Sequence, residues 1–118
     1  MLKILLLDDD ENMKMLLEYY LKRCKIAANI DQFFNLSDAE QTNNDYDIWI
    51  VDHRLNNATG LDFILRRKAK PFIYESFYLT EALKENVLKN GGVPLDKNDL
   101  LENPESLGKA LKELKVAA

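Results

Sequence analysis

The stretch LKILLLDD, residues 2–9, is an apolar run, interrupted only by Lys3, that ends abruptly in two carboxylates. Such a run predicts a strand buried on both faces, as in a parallel sheet. A second run, residues 48–51, ends in the same way at Asp52, and a third, residues 93–95, is soon followed by Lys97. Because a charge at the end of an apolar strand lies at the rim of a core, these three strand ends are the first candidates for a functional site.

Strand and helix patterns alternate along the chain. Five strands are predicted, at residues 2–7, 28–33, 46–51, 72–75 and 93–95. Apolar residues at helical spacing follow each of them, and the predicted helix starts are Asp10, Ser37, Gly60, Thr80 and Asn103 with Pro104. Since crossovers between parallel strands are right-handed, this order predicts an α/β fold, a five-stranded parallel sheet with helices on both faces.

The expected strand order, 2-1-3-4-5 as in flavodoxin-like folds, reverses between strands 1 and 3, and ligands bind at that point beyond the carboxyl ends of the strands. Asp8 and Asp9 end strand 1, and Asp52 ends strand 3. Carboxylates grouped there suit Mg²⁺, which prefers hard oxygen ligands. Lys97, after strand 5, supplies an ammonium group, and Ser76, at the end of strand 4, supplies a hydroxyl.

This set of side chains predicts phosphoryl chemistry. The Asp52 carboxylate can attack a phosphoryl donor to give an aspartyl phosphate, while a cation and Lys97 neutralise the transferring oxygens. Taken singly, each residue has a simpler interpretation: the aspartates as caps or turn residues, Lys97 as a solvated loop residue, Ser76 as a cap, and His53 as a loop residue rather than a general base. Their occurrence together, in the correct strand order, favours the functional interpretation.

Composition narrows the class of protein. The chain has 118 residues and is predicted to form one domain, residues 1–118, with 47% hydrophobic and 31% charged residues, as in soluble globular proteins. The net charge of −4 argues against nonspecific nucleic-acid binding. Cys24 is the only cysteine, so an internal disulfide is excluded and a structural zinc site is disfavoured. No run reaches the roughly 20 apolar residues of a membrane span, and no signal-peptide pattern is present, so a cytoplasmic location is expected.

Along nearly its whole length the chain resembles the receiver domain of two-component response regulators. The matching segments are the first strand with its acidic pair (residues 4–10), the third strand with the phosphoacceptor (46–52), a loop glycine eight residues later (Gly60), the fourth strand with its terminal hydroxyl (71–76), and the fifth strand with its lysine (95–97). Each motif alone is weak, but the ordered set is specific.

The resemblance implies a phosphoprotein of a phosphorelay. Asp52 would accept a phosphoryl group from a histidine kinase or a histidine phosphotransfer protein. The implied Mg²⁺ ligands are Asp8, Asp9, Asp52 and the backbone carbonyl of Arg54, and the implied phosphoryl contacts are Ser76 and Lys97. Signalling would pass to a downstream protein through the face of helix 4, strand 5 and helix 5. The resemblance implies a monomer or weak dimer that binds neither nucleic acid nor membrane and turns over no separate substrate.

The chain departs from the receiver pattern at several positions. Asn56 and Asn98 stand where the family usually has proline, Phe77 where it has a small residue, and Pro94 where it has an aromatic switch residue. Arg54 and Tyr78 occupy the two positions that tune the lifetime of the phosphoryl group, and with Phe77 they are expected to restrict access to it. Since Arg54 and Tyr78 are both large enough to shield the phosphoryl group from water, slow self-hydrolysis of the phosphorylated Asp52 is predicted.

Two alternatives remain open. In the first, Phe77 and Pro94 mark a lost switch, and the chain is a receiver-like interaction module that acts independently of phosphorylation. In the second, Asp8 and Asp10 form the Asp-x-Asp pair of a small phosphatase of the haloacid dehalogenase type, although Asn12 stands where Thr or Val is expected.

Overall fold

The computed structural model describes residues 1–55, 58–59 and 71–114, with the backbone alone at residues 54, 55, 58 and 59. Asn56, Gly60 and the helix predicted after it therefore lie outside the described residues, as does the side chain of Arg54. Within the described ranges, no helix is both long and apolar enough to cross a membrane.

Twelve elements are described. The strands are β1 (Leu2–Leu7), β2 (Ala28–Phe33), β3 (Ile48–Asp52), β4 (Arg54–Leu55), β5 (Ala58–Thr59), β6 (Phe72–Ser76) and β7 (Gly92–Asp96). The helices are α1 (Met13–Arg23), α2 (Leu36–Gln41), α3 (Glu81–Lys89), α4 (Lys97–Glu102) and α5 (Glu105–Glu113).

The main sheet has the order β2-β1-β3-β6-β7, and all its strand pairs are parallel. Counted within this sheet, that is the order 2-1-3-4-5, so the predicted fold is confirmed. Alternate residues of the strands point to opposite faces, and each face is covered by helices. A first core, on the α1 and α5 face, contains Ile4, Leu6, Ile50 and Ile73, and a second core, on the α2 and α3 face, contains Leu5, Leu7, Phe72 and Tyr74.

Helix starts were predicted only in part. Thr80 caps α3 as expected, since its side chain accepts a hydrogen bond from the Leu83 N–H. The prediction that Asp10 caps α1 was wrong: α1 begins at Met13, and the Asp10 carboxylate instead accepts from the Asn12 N–H, closing a local turn.

The caps of α2 and α5 also differ from the prediction. Asn35, rather than Ser37, caps α2 by accepting from the Asp38 N–H. The Asn103 side chain accepts from the Glu105 N–H, and α5 begins one residue later than predicted. At α2 the Asn35 side chain and Ser37 are both candidates for the first backbone N–H groups, and sequence spacing alone does not decide between such nearby candidates.

Two elements were missed by the sequence analysis. One is the antiparallel hairpin of β4 and β5, two residues each. The other is α4, which begins at Lys97 immediately after β7 and is capped by Asp96, whose side chain accepts from the Asn98 N–H. The signal for α4 was present in this aspartate and in Leu100, which is fully buried. Because α4 starts at Lys97, the lysine is held at the junction of a strand and a helix.

Replacing Gly92 by alanine is expected to destabilise the fold by about 1–3 kcal/mol. A Cβ at this position would lie 2.3–2.7 Å from three ring atoms of Phe72, and that ring is fully buried. The control is Gly91→Asn, because no atom lies within 4 Å of that Cβ position and asparagine tolerates its positive φ of 87°. Urea unfolding of both variants measures the difference; equal stability of Gly92→Ala and the parent would contradict the expectation.

Candidate functional site

The carboxyl ends of the main strands meet at one edge of the sheet. Asp8 follows β1, Asp52 ends β3, Ser76 ends β6, and Lys97 follows β7. The Lys97 Nζ atom lies 3.0 Å from Asp8 Oδ2 and 3.3 Å from Asp52 Oδ1. The predicted acidic and basic residues are therefore brought together by the sheet.

Three carboxylates form a small oxygen cluster. Asp8, Asp9 and Asp52 each contribute one oxygen, and these oxygens lie within 4.8 Å of one another. Asp8 is fully buried and its Oδ1 accepts from the Asp10 N–H, whereas Asp9 is exposed. A buried side and an open side suit Mg²⁺, which takes one or two carboxylates and keeps several waters.

Two other predicted features bear on this cluster. Asp10 does not belong to it, and its carboxylate instead accepts from the Asn12 N–H. The carbonyl of Arg54, two residues after Asp52, remains a predicted ligand.

Burial and neighbouring charges set the ionisation of the site. Burial raises the pKa of Asp52 to about 6, against the lowering effect of Lys97 and with a further rise from Asp8. Burial alone would lower the pKa of Lys97, but the carboxylates of Glu75, Asp8 and Asp52 outweigh it and raise that pKa. At neutral pH the site therefore holds an ionised, nucleophilic Asp52 carboxylate next to a charged ammonium group.

The loop after β6 covers this edge of the sheet. The Ser76 hydroxyl accepts from the Tyr78 N–H at 3.1 Å and donates to the Tyr78 carbonyl at 3.3 Å, so it is engaged in its own loop. The centroid of the Phe77 ring lies 5.2 Å from Lys97 Nζ, a cation–π distance. Tyr78 is 81% exposed. Of Phe77 and Tyr78, the two access-restricting residues whose side chains the structure describes, Phe77 is thus the one that contacts the ammonium group.

Comparison of the sequence with protein-family models and with curated proteins gives no match. Solved structures do match. A putative response regulator from Chloroflexus aurantiacus is 20% identical, with a TM-score of 0.77, and the match covers 95% of each chain. The BeF3-activated receiver domain of DrrB is 18% identical, with a TM-score of 0.76 and 97% of each chain covered. The chemotaxis protein CheY4 of Vibrio cholerae is 21% identical, with a TM-score of 0.69, and the match covers 97% of this chain and 98% of that one.

This chain has the receiver fold of response regulators. At these identities the likeness concerns the fold alone, and the chemistry has to be argued from the side chains of this chain. The fold does place Asp8 and Asp52 at the ends of the neighbouring strands β1 and β3, at the switch point of the sheet, as the sequence pattern predicted.

The receiver fold of this chain also contains an acidic residue that the sequence analysis gave no role. Glu75, in β6, is fully buried, and Asp52 is its register partner on β3. Burial raises the pKa of the Glu75 carboxyl well above its ordinary value, and Asp8 raises it further. The sequence signal was available, because a glutamate in an otherwise apolar strand is unusual and lies one residue before the strand end.

Two residues beside the site have structural explanations. Pro94 lies in β7, which is an edge strand of the main sheet, where the missing N–H is tolerated. The half-buried His53 contacts Tyr74, with its Nδ1 atom 2.5 Å from the Tyr74 hydroxyl and the rings edge to face. His53 thus packs against the second core through Tyr74.

Proposed function

We propose that this protein is a phosphoacceptor receiver that takes a phosphoryl group on Asp52 and signals through protein binding that depends on phosphorylation. One observation carries the proposal: the Lys97 ammonium lies within 3.3 Å of the carboxylates of both Asp8 and Asp52. A nucleophilic carboxylate with a fixed positive charge and a cluster of cation-binding oxygens beside it is what phosphoryl transfer requires.

In the proposed reaction an Asp52 carboxylate oxygen attacks the phosphorus of a phosphohistidine. A new O–P bond forms and the P–N bond breaks, and the imidazole of the donor leaves with the electron pair and takes up a proton. Lys97 neutralises charge on the transferring oxygens. A bound Mg²⁺, held by Asp8, Asp9, Asp52 and the Arg54 carbonyl, would supply further positive charge. For Ser76 to contact the phosphoryl group, its hydroxyl must leave the bonds it makes with Tyr78.

The proposed partners are a histidine kinase or histidine phosphotransfer protein as the donor and a downstream protein as the receiver of the signal. The output face of helix 4, strand 5 and helix 5 corresponds here to α3, β7 and α5. Leu88 on α3 is exposed. We propose a cytoplasmic monomer or weak dimer that contacts neither nucleic acid nor membrane and that catalyses only its own phosphorylation and dephosphorylation.

Intact mass after incubation with acetyl phosphate and Mg²⁺ tests the proposal. The expected result is the addition of one phosphoryl group, absent in Asp52→Ala and absent without Mg²⁺. Far-ultraviolet circular dichroism of Asp52→Ala checks that the control is folded. No added mass on the parent protein, with acetyl phosphate and with a phosphorylated kinase as donors, would contradict the proposal.

One observation favours the alternative, an interaction module that acts without phosphorylation. The Phe77 ring lies against Lys97 where a phosphoryl group would approach. If the ring only restricts access, Phe77→Ala should phosphorylate faster than the parent, by about fivefold or more, because the ammonium becomes open to the incoming group. Initial rates with acetyl phosphate measure this, with Tyr78→Ala as the matched control, since that side chain is exposed. Equal rates in parent and Phe77→Ala would show that the ring does not restrict access.

A further inference from the structure

Glu75 belongs to a line of carboxyl groups on one side of the sheet. Side chains alternate along a strand, so Glu75 shares a face with Ile73, which lies in the first core. Asp52 shares that face with Ile50, and Asp8 shares it with Leu6. Asp8, Asp52 and Glu75, called here the carboxyl row, therefore lie side by side on three neighbouring strands.

The Glu75 carboxyl is buried, and no N–H group among the described residues donates a hydrogen bond to it. Both of its oxygens are inaccessible to solvent, and a hydrogen bond to the Asp8 carboxylate, which forms only when Glu75 is protonated, helps to raise its pKa. Buried acceptors without a donor are rare in folded proteins, because removing them from water is costly. Among the described residues, Lys97 is the cation within ion-pair distance of Glu75, with its Nζ atom 4.0 Å from Glu75 Oε1.

The ammonium group of Lys97 is enclosed by these groups. It has three N–H donors. All three side chains of the carboxyl row lie within 4.0 Å of it. The Phe77 ring covers a further side. The lysine side chain is only 6% exposed, although lysine is ordinarily a flexible side chain that keeps its charge in water.

We propose that Glu75 is a positioning residue that fixes the Lys97 ammonium next to Asp52. The proposal rests on the proposed function, in which Lys97 neutralises the incoming phosphoryl group. Asp8 and Asp52 also belong to the oxygen cluster that suits a cation, whereas Glu75 lies outside that cluster. Of the three carboxyl groups around Lys97, Glu75 is therefore the one that would not coordinate a bound metal. It holds the ammonium in place while the other two carboxylates coordinate the metal.

Two substitutions at Glu75 test the proposal. Glu75→Leu removes the acceptor and fills the space with an apolar side chain, while Glu75→Gln keeps the length and one acceptor oxygen. Asp47→Asn is the charge control, because Asp47 is exposed and bonds the Lys3 N–H at the opposite end of the sheet. Urea unfolding of each variant checks that all of them are folded.

The first measurement is the NMR order parameter of the Lys97 ammonium group in unphosphorylated, metal-free protein. We expect it to fall in Glu75→Leu and to stay at the parent value in Glu75→Gln and Asp47→Asn. The second measurement is the initial rate of phosphorylation by acetyl phosphate with Mg²⁺. We expect Glu75→Leu to be slower by about fivefold or more, and Glu75→Gln to stay within about twofold of the parent, since a misplaced charged group loses much of its effect.

A Lys97 ammonium as restrained in Glu75→Leu as in the parent would overturn the proposal, and so would equal defects in Glu75→Leu and Glu75→Gln. If Glu75 only filled space, the order parameter of the Lys97 ammonium group would be the same in Glu75→Leu as in the parent. If the parent gains no phosphoryl group, the proposed function fails, and the ammonium measurement still decides whether Glu75 positions Lys97.

Discussion

Replacing Lys97 by methionine is expected to lower the free energy of unfolding by about 3 kcal/mol in metal-free buffer at pH 7.5. Asp8 and Glu75 are fully buried, and Lys97 lies within ion-pair distance of both. Methionine has a similar length and fills the same space, so the loss reflects the charge rather than a cavity. Removal of one partner of a buried charge cluster leaves the other charges uncompensated, and that is the costly step.

The loss of stability in Lys97→Met should become smaller under conditions that neutralise the carboxylates. Mg²⁺ should recover part of the lost stability of Lys97→Met, because a cation that binds only the folded state stabilises it. Lower pH should recover part of it as well, because the carboxylates become protonated. The control is Lys109→Met on α5, where the lysine is exposed. Urea unfolding with and without Mg²⁺ measures these differences, and a metal-free Lys97→Met variant as stable as the parent would contradict the expectation.

Replacing Asp52 by asparagine is expected to raise the free energy of unfolding by about 2–3 kcal/mol in metal-free buffer at pH 7.5. The pKa of Asp52 is raised from 3.8 to about 6, mainly by burial. Its carboxylate is therefore more costly in the folded protein than in the unfolded chain, and asparagine keeps the shape without the charge. A lower or unchanged stability of Asp52→Asn would contradict this expectation.

The pH dependence of this effect has a definite sign. Between pH 3.8 and about 6 the folded protein holds the Asp52 proton more tightly than the unfolded chain does. The contribution of Asp52 to stability therefore falls as the pH rises through that window. The advantage of Asp52→Asn should vanish near pH 4 and reach its full size above pH 7. Thermal unfolding across this range measures it, with Asp47→Asn as the control at an exposed position.

The pattern of charged strand ends was sufficient to predict the fold and most of the candidate site. Buried parallel strands give apolar runs that stand out from the helices between them, and this located the five strands, to which the flavodoxin-like order was then assigned. It also placed Asp8, Asp52 and Lys97 together, because the carboxyl ends of parallel strands share one edge. Helix starts such as that of α1 were less predictable, since the Asp10 carboxylate accepts from the Asn12 N–H in a local turn and the helix begins only at Met13.

The sequence by itself determined the receiver fold and the edge of the sheet where the carboxylates and the lysine gather, because apolar periodicity defines the strands and helices, and right-handed crossovers leave few ways to arrange alternating strands and helices in one sheet. Only the tertiary structure decided what surrounds Lys97. Glu75 meets the ammonium because β6 pairs in a defined register with β3 on one side and with β7, which precedes Lys97, on the other. The Phe77 ring covers the ammonium because the loop after β6 turns back over the site. These contacts join residues distant in the chain, and distances of 3–5 Å between side chains follow from packing rather than from spacing in the sequence.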